Sequence, residues 1–172
     1  MTHEIAEDLA RLQTVLDRSF ERAGDHLRSI FDSESFLRLS PAQLAERLTG
    51  VRHLAVATVN RRGEPRVSPV DGLFYRAAFH FSTPGSSYRL RHLRERPAIS
   101  ATHFQGDHHM VVLHGTAVLI GPGHEAFDGI DGYWTEVYGS SAMGLGADIA
   151  YVRIDPHAAF AFARNPDAPW PE

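Results

Sequence analysis

Apolar residues recur at three- and four-residue spacing through the first thirty residues of the chain, with charged residues between them. This spacing predicts one amphipathic helix whose apolar stripe packs against the rest of the protein. The stripe consists of Ile5, Leu9, Leu12, Leu16, Phe20, Leu27 and Ile30. A second, shorter helix is predicted in SPAQLAERLTG, because Ser40 suits the N-cap, Pro41 the first turn and Gly50 the end. Two helices therefore precede the main body of the chain.

From residue 52 the pattern changes to short apolar and β-branched runs that are separated by turns, which is typical of strands. The segments RHLAVATVN and PRVSPVDGLFY flank the turn RRGE and predict a hairpin, in which Pro65 and Pro69 mark an edge or irregular stretch. Further strands are predicted in AAFHFST, PAISATHF and HMVVLHGTAVLIG, and two more in IAYVRIDPHAAFAFA, broken at Asp155 and Pro156. Helices are predicted after AAFHFST and, with a middle weakened by glycine, in HEAFDGIDGYWTEVYG. Six to eight short strands with helical additions predict a mainly β protein built on a closed antiparallel barrel.

Composition excludes several classes of protein. The 172 residues are 43% hydrophobic and 22% charged, which is ordinary for a soluble globular chain with one core. No apolar run is long enough to span a bilayer, and the acidic start MTHEIAEDLARL does not resemble a secretory signal, so we expect a cytoplasmic protein without a membrane partner. The net charge of −4 argues against general nucleic-acid binding. The absence of cysteine and lysine excludes disulfides, thiolate metal sites, cysteine nucleophiles and lysine Schiff bases.

The segment TPGSSYRLRHLRERPAIS, residues 83–100, is a candidate anion site. If Ser86 caps the predicted helix, the amides of its first turn, the hydroxyls of Ser86 and Ser87 and the guanidinium of Arg89 converge on one point. That arrangement suits a phosphate. The alternative is an ordinary helix with serine caps and a surface arginine.

The other residues of this helix have simpler roles. Leu90 and Leu93 lie three residues apart on one side and are expected to face the core. Arg91 and Arg94 lie on other faces and are expected to be solvated charges.

A second candidate cation lies on the predicted strand EPRVSPV. Because side chains alternate along a strand, Arg66, Ser68 and Val70 share one face, and Arg66 and Ser68 could point together into a pocket. The alternative is an exposed strand arginine, since charges on edge strands discourage aggregation.

The order of these segments resembles a known family. The stretch LAVATVNRRGEPRVSPVDGLFYRAAFHFSTPGSSYRLRHLRERPAISATHF is similar to the pyridoxamine-phosphate-oxidase-like family of flavin-binding split barrels, in its hairpin, its F.FsT strand and its helix followed by a strand. A later strand with the pattern v...G.a.l continues the match, which covers roughly residues 40 to 163. The resemblance implies a split antiparallel β-barrel of the FMN-binding type, with residues 1–39 as a helical extension and 40–172 as the flavin-binding domain.

The resemblance also implies a function. It implies a homodimer with a cofactor at each subunit interface, and an oxidoreductase that transfers hydride or electrons to or from a small organic substrate. The implied cofactor is FMN, with an 8-hydroxy-5-deazaflavin coenzyme as the alternative and haem as a further one. Its phosphate would be held at Arg66, Ser87 and Arg89, and its ring would meet the backbone from Val67 to Pro69. The full predicted set is Arg66, Val67, Ser68, Pro69, Ser82, Thr83, Ser86, Ser87 and Arg89.

Departures from the family pattern narrow the choice of substrate. Family members that oxidise pyridoxine phosphate carry a lysine where this chain has Asp71, and an aspartate would repel the substrate phosphate. His109 and Met110 stand where those members carry an arginine–glutamine pair. Pyridoxamine phosphate is therefore a poor substrate, and no catalytic residue is predicted. The alternatives are a non-catalytic flavin- or haem-binding protein that stores, senses or sequesters its ligand, and a haem-degrading enzyme.

Two clusters of residues leave alternatives open. The segment THFQGDHH holds His103, Asp107, His108 and His109, but neighbouring histidines on a strand face opposite sides and the spacing is not that of a compact ligand set. We therefore expect hydrogen-bonded or solvated histidines rather than a metal site, with a haem ligand still possible. Aromatic residues in GYWTEVYG either pack in the core, which we favour, or roof a cofactor pocket; they are Tyr133, Trp134 and Tyr138.

Overall fold

The structure is a computed structural model that describes residues 3–31, 36–106, 108–146 and 148–164. Its helices are α1 (Ala6–Glu21), α2 (Asp25–Phe31), α3 (Pro41–Arg47), α4 (Tyr88–Glu95) and α5 (Phe127–Tyr138), and a short 3-10 turn covers Ala142–Leu145. Its strands are β1 (Leu37–Arg38), β2 (Val51–Val59), β3 (Pro65–Tyr75), β4 (Ala78–Thr83), β5 (Ala98–Gln105), β6 (His109–Ile120) and β7 (Ala150–Ala163).

Six of these strands close into an antiparallel barrel. The sheet runs β1-β7-β4-β3-β2-β5-β6, and a further pairing of β6 with β7 joins its two ends. The short β1 lies outside the barrel and, among the described strands, pairs with β7 alone. The predicted fold class, a mainly β split barrel with helical additions, is confirmed. No helix in the described part of the chain has both the length and the apolar character needed to cross a bilayer.

The first half of β3 has a partner on one side only. Residues 65–73 pair with β2, whereas β4 pairs only with residues 72–75. Within the described residues, the stretch 65–71 is therefore a sheet edge, as Pro65 and Pro69 predicted. Proline is tolerated there because an edge position can lack one backbone N–H.

The N-terminal segment forms two helices, so the prediction of a single helix is wrong. Helix α1 ends at Glu21, and α2 begins only at Asp25. Gly24 lies in the break, where its greater conformational freedom disfavours a continued helix. The amphipathic pattern is nevertheless real for α1, because Leu12 and Val15 are buried in the same cluster as the barrel residues.

Helix α3 begins as predicted. The Ser40 hydroxyl accepts a hydrogen bond from the Gln43 backbone N–H, the Gln43 side chain accepts one from the Ser40 backbone, and Pro41 occupies the first turn. The proposed boundary between residues 39 and 40 stays a prediction.

Strand β7 is continuous, so the prediction of a break at Asp155 and Pro156 is wrong. Its register against β6 shifts there: His114 pairs with Ala158 and Gly115 with Pro156. One extra residue is accommodated as a β-bulge, which lets the strand bend without ending. Gly115 is needed at this point because a Cβ atom would lie 2.3 Å from the Asp155 carbonyl oxygen.

Helix α5 packs against the barrel strands. Its predicted glycines, Gly129 and Gly132, lie within a helix that is otherwise regular. Ile130, Tyr133 and Trp134 of α5 form a second buried cluster with residues of the barrel strands. For Tyr133 and Trp134, the favoured packing role is confirmed.

Candidate functional site

Two clefts lie side by side along the free edge of β3, and Arg89 lines both. The hairpin cleft, of about 560 Å³, lies between the β2–β3 hairpin and α4. It is lined by Thr58, Asn60, Arg61, Arg62, Arg66, Val67, Ser68, Tyr88, Arg89, Arg91, His92 and Glu95. The aromatic cleft, of about 380 Å³, is lined by Pro69, Val70, Asp71, Ser82, Arg89, Trp134, Tyr138, Ser140, Ser141 and Leu145. Six of the nine predicted cofactor-binding residues line one cleft or both.

The entrance to α4 is capped by Ser87, so the cap hypothesis for Ser86 is wrong. The backbone N–H of Ser87 donates to the Pro84 carbonyl and closes a turn that contains Gly85 and Ser86. Ser87 is thus the first residue in a capping conformation, and its hydroxyl accepts a hydrogen bond from the Leu90 N–H at 3.0 Å. Ser86 is exposed and lines neither cleft.

Thr83 contacts the side chain of the capping residue Ser87. Its side chain is fully buried, and its hydroxyl lies 2.9 Å from the Ser87 hydroxyl. Neither Thr83 nor Ser87 lines a cleft. Their observed contacts therefore fix the position of the helix entrance, and through it the position of Arg89.

The surroundings of Arg89 leave part of its hydrogen-bonding capacity unused. Its Nε–H is buried and has no hydrogen-bond partner among the described residues. Burial lowers the pKa of the guanidinium, and the group lies over the ring of Phe81 at 5.5 Å. A buried N–H group without an acceptor is costly, so the site is suited to a ligand that brings an acceptor. The side chain therefore fits an anionic group at the junction of the two clefts.

Arg66 reaches the hairpin cleft from the strand side. Its side chain is 59% exposed, and its Nη2 donates to Glu64 Oε2 at 2.8 Å. The same Glu64 oxygen accepts a hydrogen bond from the Asn60 side chain, which also shapes the hairpin turn. Arg66 is therefore already paired in the unliganded protein, and an incoming anion would have to share it with Glu64.

Leu90 and Leu93 point into the core, as predicted, and are almost fully buried. Arg91 and Arg94 are exposed, also as predicted. Arg91, however, lines the hairpin cleft.

The hairpin cleft contains cations that the sequence reasoning did not assign to it. Arg61 and Arg62 were assigned only to a turn, yet both line the cleft together with Arg91. The cleft thus holds five guanidinium groups, from Arg61, Arg62, Arg66, Arg89 and Arg91, and one lining carboxylate, from Glu95. Such a concentration of positive charge favours an anionic ligand.

His92 is a further missed residue. Its Nδ1 lies 3.0 Å from the hydroxyl of Thr58, which is itself buried. The signal was present in the sequence, because His92 follows Arg89 by three residues and so lies on the same side of α4. Thr58 fixes the imidazole at the cleft wall.

The aromatic cleft has a stacked pair in its wall. The rings of Trp134 and Tyr138 are 4.4 Å apart and nearly parallel; Trp134 is buried, whereas Tyr138 is 38% exposed. Burial raises the pKa of the Tyr138 hydroxyl, and the Asp71 charge raises it further. Asp71 also lines this cleft and lies 3.0 Å from Nδ1 of His53. A carboxylate thus stands close to the free edge of β3.

The histidine cluster lies elsewhere. His103 and His109 are buried, and their Nε2 atoms are 3.1 Å apart. Since a carbonyl can only accept, Nδ1–H of His103 donates to the His53 carbonyl, and His109 must donate to His103. Burial, followed by the neighbouring His103, lowers the pKa of His109 to about 4. His108 is exposed, and Asp107 lies outside the described residues.

In the part of the chain that the structure describes, no group of three or more histidine or acidic side chains could hold a metal ion. His114 is exposed on the barrel surface, on the strand face opposite the buried Leu113.

Solved structures share this fold at low sequence identity. A conserved hypothetical protein, Rv2991, from Mycobacterium tuberculosis superposes with a TM-score of 0.62 and 16% identity, over 80% of this chain and 93% of that protein. HutZ, the heme storage protein from Vibrio cholerae, gives a TM-score of 0.60 and 19% identity over 73% of this chain and 96% of that protein. The protein Atu2129, of unknown function, from Agrobacterium tumefaciens gives 0.57 and 19% over 66% of this chain. This chain spans about half of that last protein, 52% of its length.

Other structures with the fold are an F420 reductase, a FAD-binding protein from Mesorhizobium loti and a pyridoxamine 5′-phosphate oxidase-like protein from Listeria innocua. Their TM-scores are 0.51 to 0.53 and their identities 12 to 19%. No protein-family model matches the sequence, and no curated protein matches it significantly. At these identities the similarity shows the fold alone, and at that level the predicted resemblance is confirmed.

Proposed function

We propose, from the split-barrel fold that this chain shares with pyridoxamine 5′-phosphate oxidase-like proteins, that it is an oxidoreductase with a flavin-type cofactor in the hairpin and aromatic clefts. The observation that carries the proposal is Arg89, whose buried Nε–H has no acceptor among the described residues and whose side chain lines both clefts. A cofactor phosphate would supply the acceptor, and a ring along the β3 edge would extend into the aromatic cleft.

The residues of the site would divide the work. When bound, the flavin-type ring would supply hydride transfer. Arg89 and Arg66 would bind the phosphate, and Thr83 and Ser87 would hold α4 so that Arg89 keeps its place. The backbone from Val67 to Pro69 would contact the ring, because β4 leaves this part of β3 unpaired. The stacked pair of Trp134 and Tyr138 would exclude water from one side.

The charge of the hairpin cleft bears on which cofactor is bound. Five guanidinium groups line the cleft, and arginine pairs strongly with the oxygens of a phosphate. This concentration of positive charge favours a cofactor or substrate with negative groups beyond one phosphate, as in a dinucleotide or a deazaflavin coenzyme with an acidic tail. FMN remains the reference ligand, because its single phosphate tests the predicted Arg66 and Arg89 anchors alone.

The site also supports a homodimer. Val67 and Tyr88 line the hairpin cleft and are 69% and 74% exposed, and Leu145 at the aromatic cleft is 72% exposed. Apolar side chains around a polar cleft suit coverage by a second subunit. We therefore propose that a second copy of the chain completes the cofactor site. The small organic substrate would enter beside Asp71, whose charge disfavours a phosphorylated one.

The proposal is tested by titrating the purified protein with FMN, FAD and a deazaflavin coenzyme, followed by flavin absorbance and fluorescence. Arg66→Gln should weaken FMN binding by about 1 kcal/mol, roughly fivefold, because the arginine is exposed and shared with Glu64. Arg94→Gln is the matched control, since Arg94 is exposed on the same helix as Arg89 and lines neither cleft. Absence of binding by all three cofactors would overturn the proposal.

The second candidate, a non-catalytic binding protein, is separated by turnover. Its support is the shared fold with HutZ, a heme storage protein. An oxidoreductase should reduce its bound flavin with a nicotinamide cofactor and pass the electrons to an acceptor in repeated cycles. Tight binding without turnover would favour the binding protein, and binding of haem with a Soret band would favour a haem protein.

A further inference from the structure

A third cavity lies on a different side of the barrel, between α1, the β3–β4 turn, the start of α5 and β7. Its volume is about 660 Å³, larger than either cleft of the proposed cofactor site, and it shares no lining residue with them. We call it the α1 cavity. A volume of this size suits a small organic molecule.

His80 in the wall of the α1 cavity has a free acceptor atom. Its side chain is 2% exposed, and its Nδ1 lies 3.1 Å from the Ala78 carbonyl oxygen. Because that oxygen can only accept, Nδ1 carries the proton and Nε2 carries a lone pair. Burial lowers the pKa of His80 to about 4, so the ring is neutral near pH 7. No described residue donates a hydrogen bond to Nε2.

The charges around the cavity are of both signs. Asp8 is almost fully buried and accepts hydrogen bonds from both Arg76 and Arg11, so one carboxylate faces two guanidinium groups. Burial alone would raise the pKa of Asp8, but these hydrogen bonds outweigh it and the pKa is lowered, so Asp8 is ionised. This side of the cavity therefore carries one positive charge in excess.

Glu125 supplies the negative charge that balances this excess positive charge. Arg153 and Asp155 neutralise each other through two hydrogen bonds of 2.6 and 3.1 Å. Glu125 lines the cavity, and no described residue forms an ion pair with it. The lining thus has no net charge: Arg11 and Arg76 share the single carboxylate of Asp8, and Glu125 has no ion-pair partner among the described residues.

Two features of the backbone bring the elements around the cavity close together: the tight β3–β4 turn and Gly129 of α5. Arg76 and Ala77 both have positive φ, of 52° and 56°, in the tight turn between β3 and β4, which is costly for residues other than glycine. Gly129 of α5 faces the hydroxyl of Tyr75, and a Cβ atom at position 129 would lie 2.6 Å from it. Positive φ at both residues is the geometry of a two-residue hairpin turn, and this turn holds Arg76 and Ala77 in the cavity wall.

From these observations we propose that the α1 cavity binds a small zwitterion of the amino-acid or dipeptide class. Its carboxylate would pair with Arg11 and Arg76, its ammonium group with Glu125, and an N–H or O–H group would donate to His80 Nε2. A plain anion would be repelled by Glu125 and a plain cation by Arg11 and Arg76, whereas a zwitterion has a group of opposite charge for each.

The test uses the full chain, with the L-amino acids and a set of glycyl dipeptides as probes. At least one probe should raise the midpoint of thermal unfolding and move the ¹⁵N resonance of His80 Nε2 in a long-range proton–nitrogen spectrum. The N-acetyl and the amide derivatives of that probe, which lose the ammonium and the carboxylate charge respectively, should each bind at least tenfold more weakly.

Variants locate the site. Glu125→Gln should weaken binding of the zwitterion at least tenfold while leaving the protein folded, because Glu125 is exposed and unpaired in the described residues. Asp128→Asn is the matched control, since Asp128 is an exposed acid in the first turn of α5 and does not line the cavity. The proposal is overturned if no probe moves the His80 resonance. It is also overturned if a probe binds, but both of its derivatives bind as tightly as the probe does and Glu125→Gln leaves its affinity unchanged. The first result would mean that none of these probes occupies the cavity, and the second that the probe binds without the proposed charge pairing. Flavin binding at the other clefts is measured separately, so the two proposals fail independently.

Discussion

Replacing Arg89 by methionine should change stability and cofactor affinity in opposite directions. Leaving the buried Nε–H without an acceptor costs about 1–3 kcal/mol in the cofactor-free protein. Methionine keeps an unbranched apolar stem and removes that group. The contact that is lost, between the guanidinium and the Phe81 ring at 5.5 Å, contributes about 0.5–1 kcal/mol. The cofactor-free variant should therefore be about 0.5–2 kcal/mol more stable than the parent protein.

Two assays follow the two effects. Urea unfolding measures the change in free energy directly, and in a chain of 172 residues each 1 kcal/mol corresponds to roughly 2–4 °C in the melting temperature. Titration with FMN, followed by flavin fluorescence, should show a loss of about 1–3 kcal/mol, a 5- to 150-fold weaker affinity. The loss is larger than for Arg66→Gln, because Arg89 is more buried and, within the described part of the chain, forms no ion pair, whereas Arg66 pairs with Glu64.

Arg94→Met is the control, because Arg94 lies on the same helix, is exposed and lines neither cleft. It should leave both measurements unchanged. If Arg89→Met instead destabilised the protein by more than about 1 kcal/mol, the arginine would have a structural role that its contacts do not show. Unchanged FMN affinity would remove Arg89 from the cofactor site.

Three further predictions concern the scaffold. Ser87→Ala removes the α4 cap and leaves the Thr83 hydroxyl buried without its partner, so urea unfolding should show a loss of about 1–2 kcal/mol, whereas Ser86→Ala should change stability by less than about 0.5 kcal/mol. Gly115→Ala places a Cβ atom against the Asp155 carbonyl and should cost about 3 kcal/mol or more in the same assay; Gly121→Ala, where the Cβ position is open, is its control, and equal losses would contradict the steric argument. Because the pKa of His80 falls from 6.5 to about 4 on folding, the unfolded chain alone binds its proton between those pH values. The free energy of unfolding should therefore decrease as the pH falls through this range, by about 3 kcal/mol from this residue, and the slope should be shallower in His80→Gln. An unchanged slope would show that His80 does not titrate in this way.

The fold was predictable because each element carries its own local signal. Alternation of apolar residues placed the strands, and the spacing of Leu90 and Leu93 placed the buried side of α4. Which serine caps α4 was harder to predict from the sequence, because Ser86 and Ser87 are chemically equal. Only the turn that the Ser87 N–H closes on the Pro84 carbonyl decides between them. Likewise, Asp155 and Pro156 read locally as a strand break, and only pairing with β6 converts them into a bulge.

The candidate site was predictable only in part, because its members come from separate elements. Arg66 and Arg89 belong to motifs of the recognised pattern, so they were assigned to the site, and both line the hairpin cleft. Arg61 and Arg62 carried no such signal, since a turn rich in charge is ordinary on a protein surface. Their place in the cleft depends on how the β2–β3 hairpin lies against α4. The α1 cavity was not predicted either, because it exists only where four elements meet.

The hairpin cleft is positively charged although the protein as a whole is negatively charged. This difference in sign supports an anionic ligand more strongly than Arg66 or Arg89 alone. The chain has a net charge of −4, yet five guanidinium groups line one cleft with a single carboxylate. Like charges gathered in this way repel one another; among the cleft arginines, Glu64 pairs with Arg66 at 2.8 Å and Glu95 with Arg61 at 4.0 Å. A ligand phosphate would relieve the remainder and satisfy Arg89 Nε at the same time. Repulsion among these arginines and the Arg89 Nε–H without an acceptor in the described residues act at the place where the cofactor is proposed to bind, which is why methionine at position 89 should stabilise the cofactor-free protein and weaken the complex.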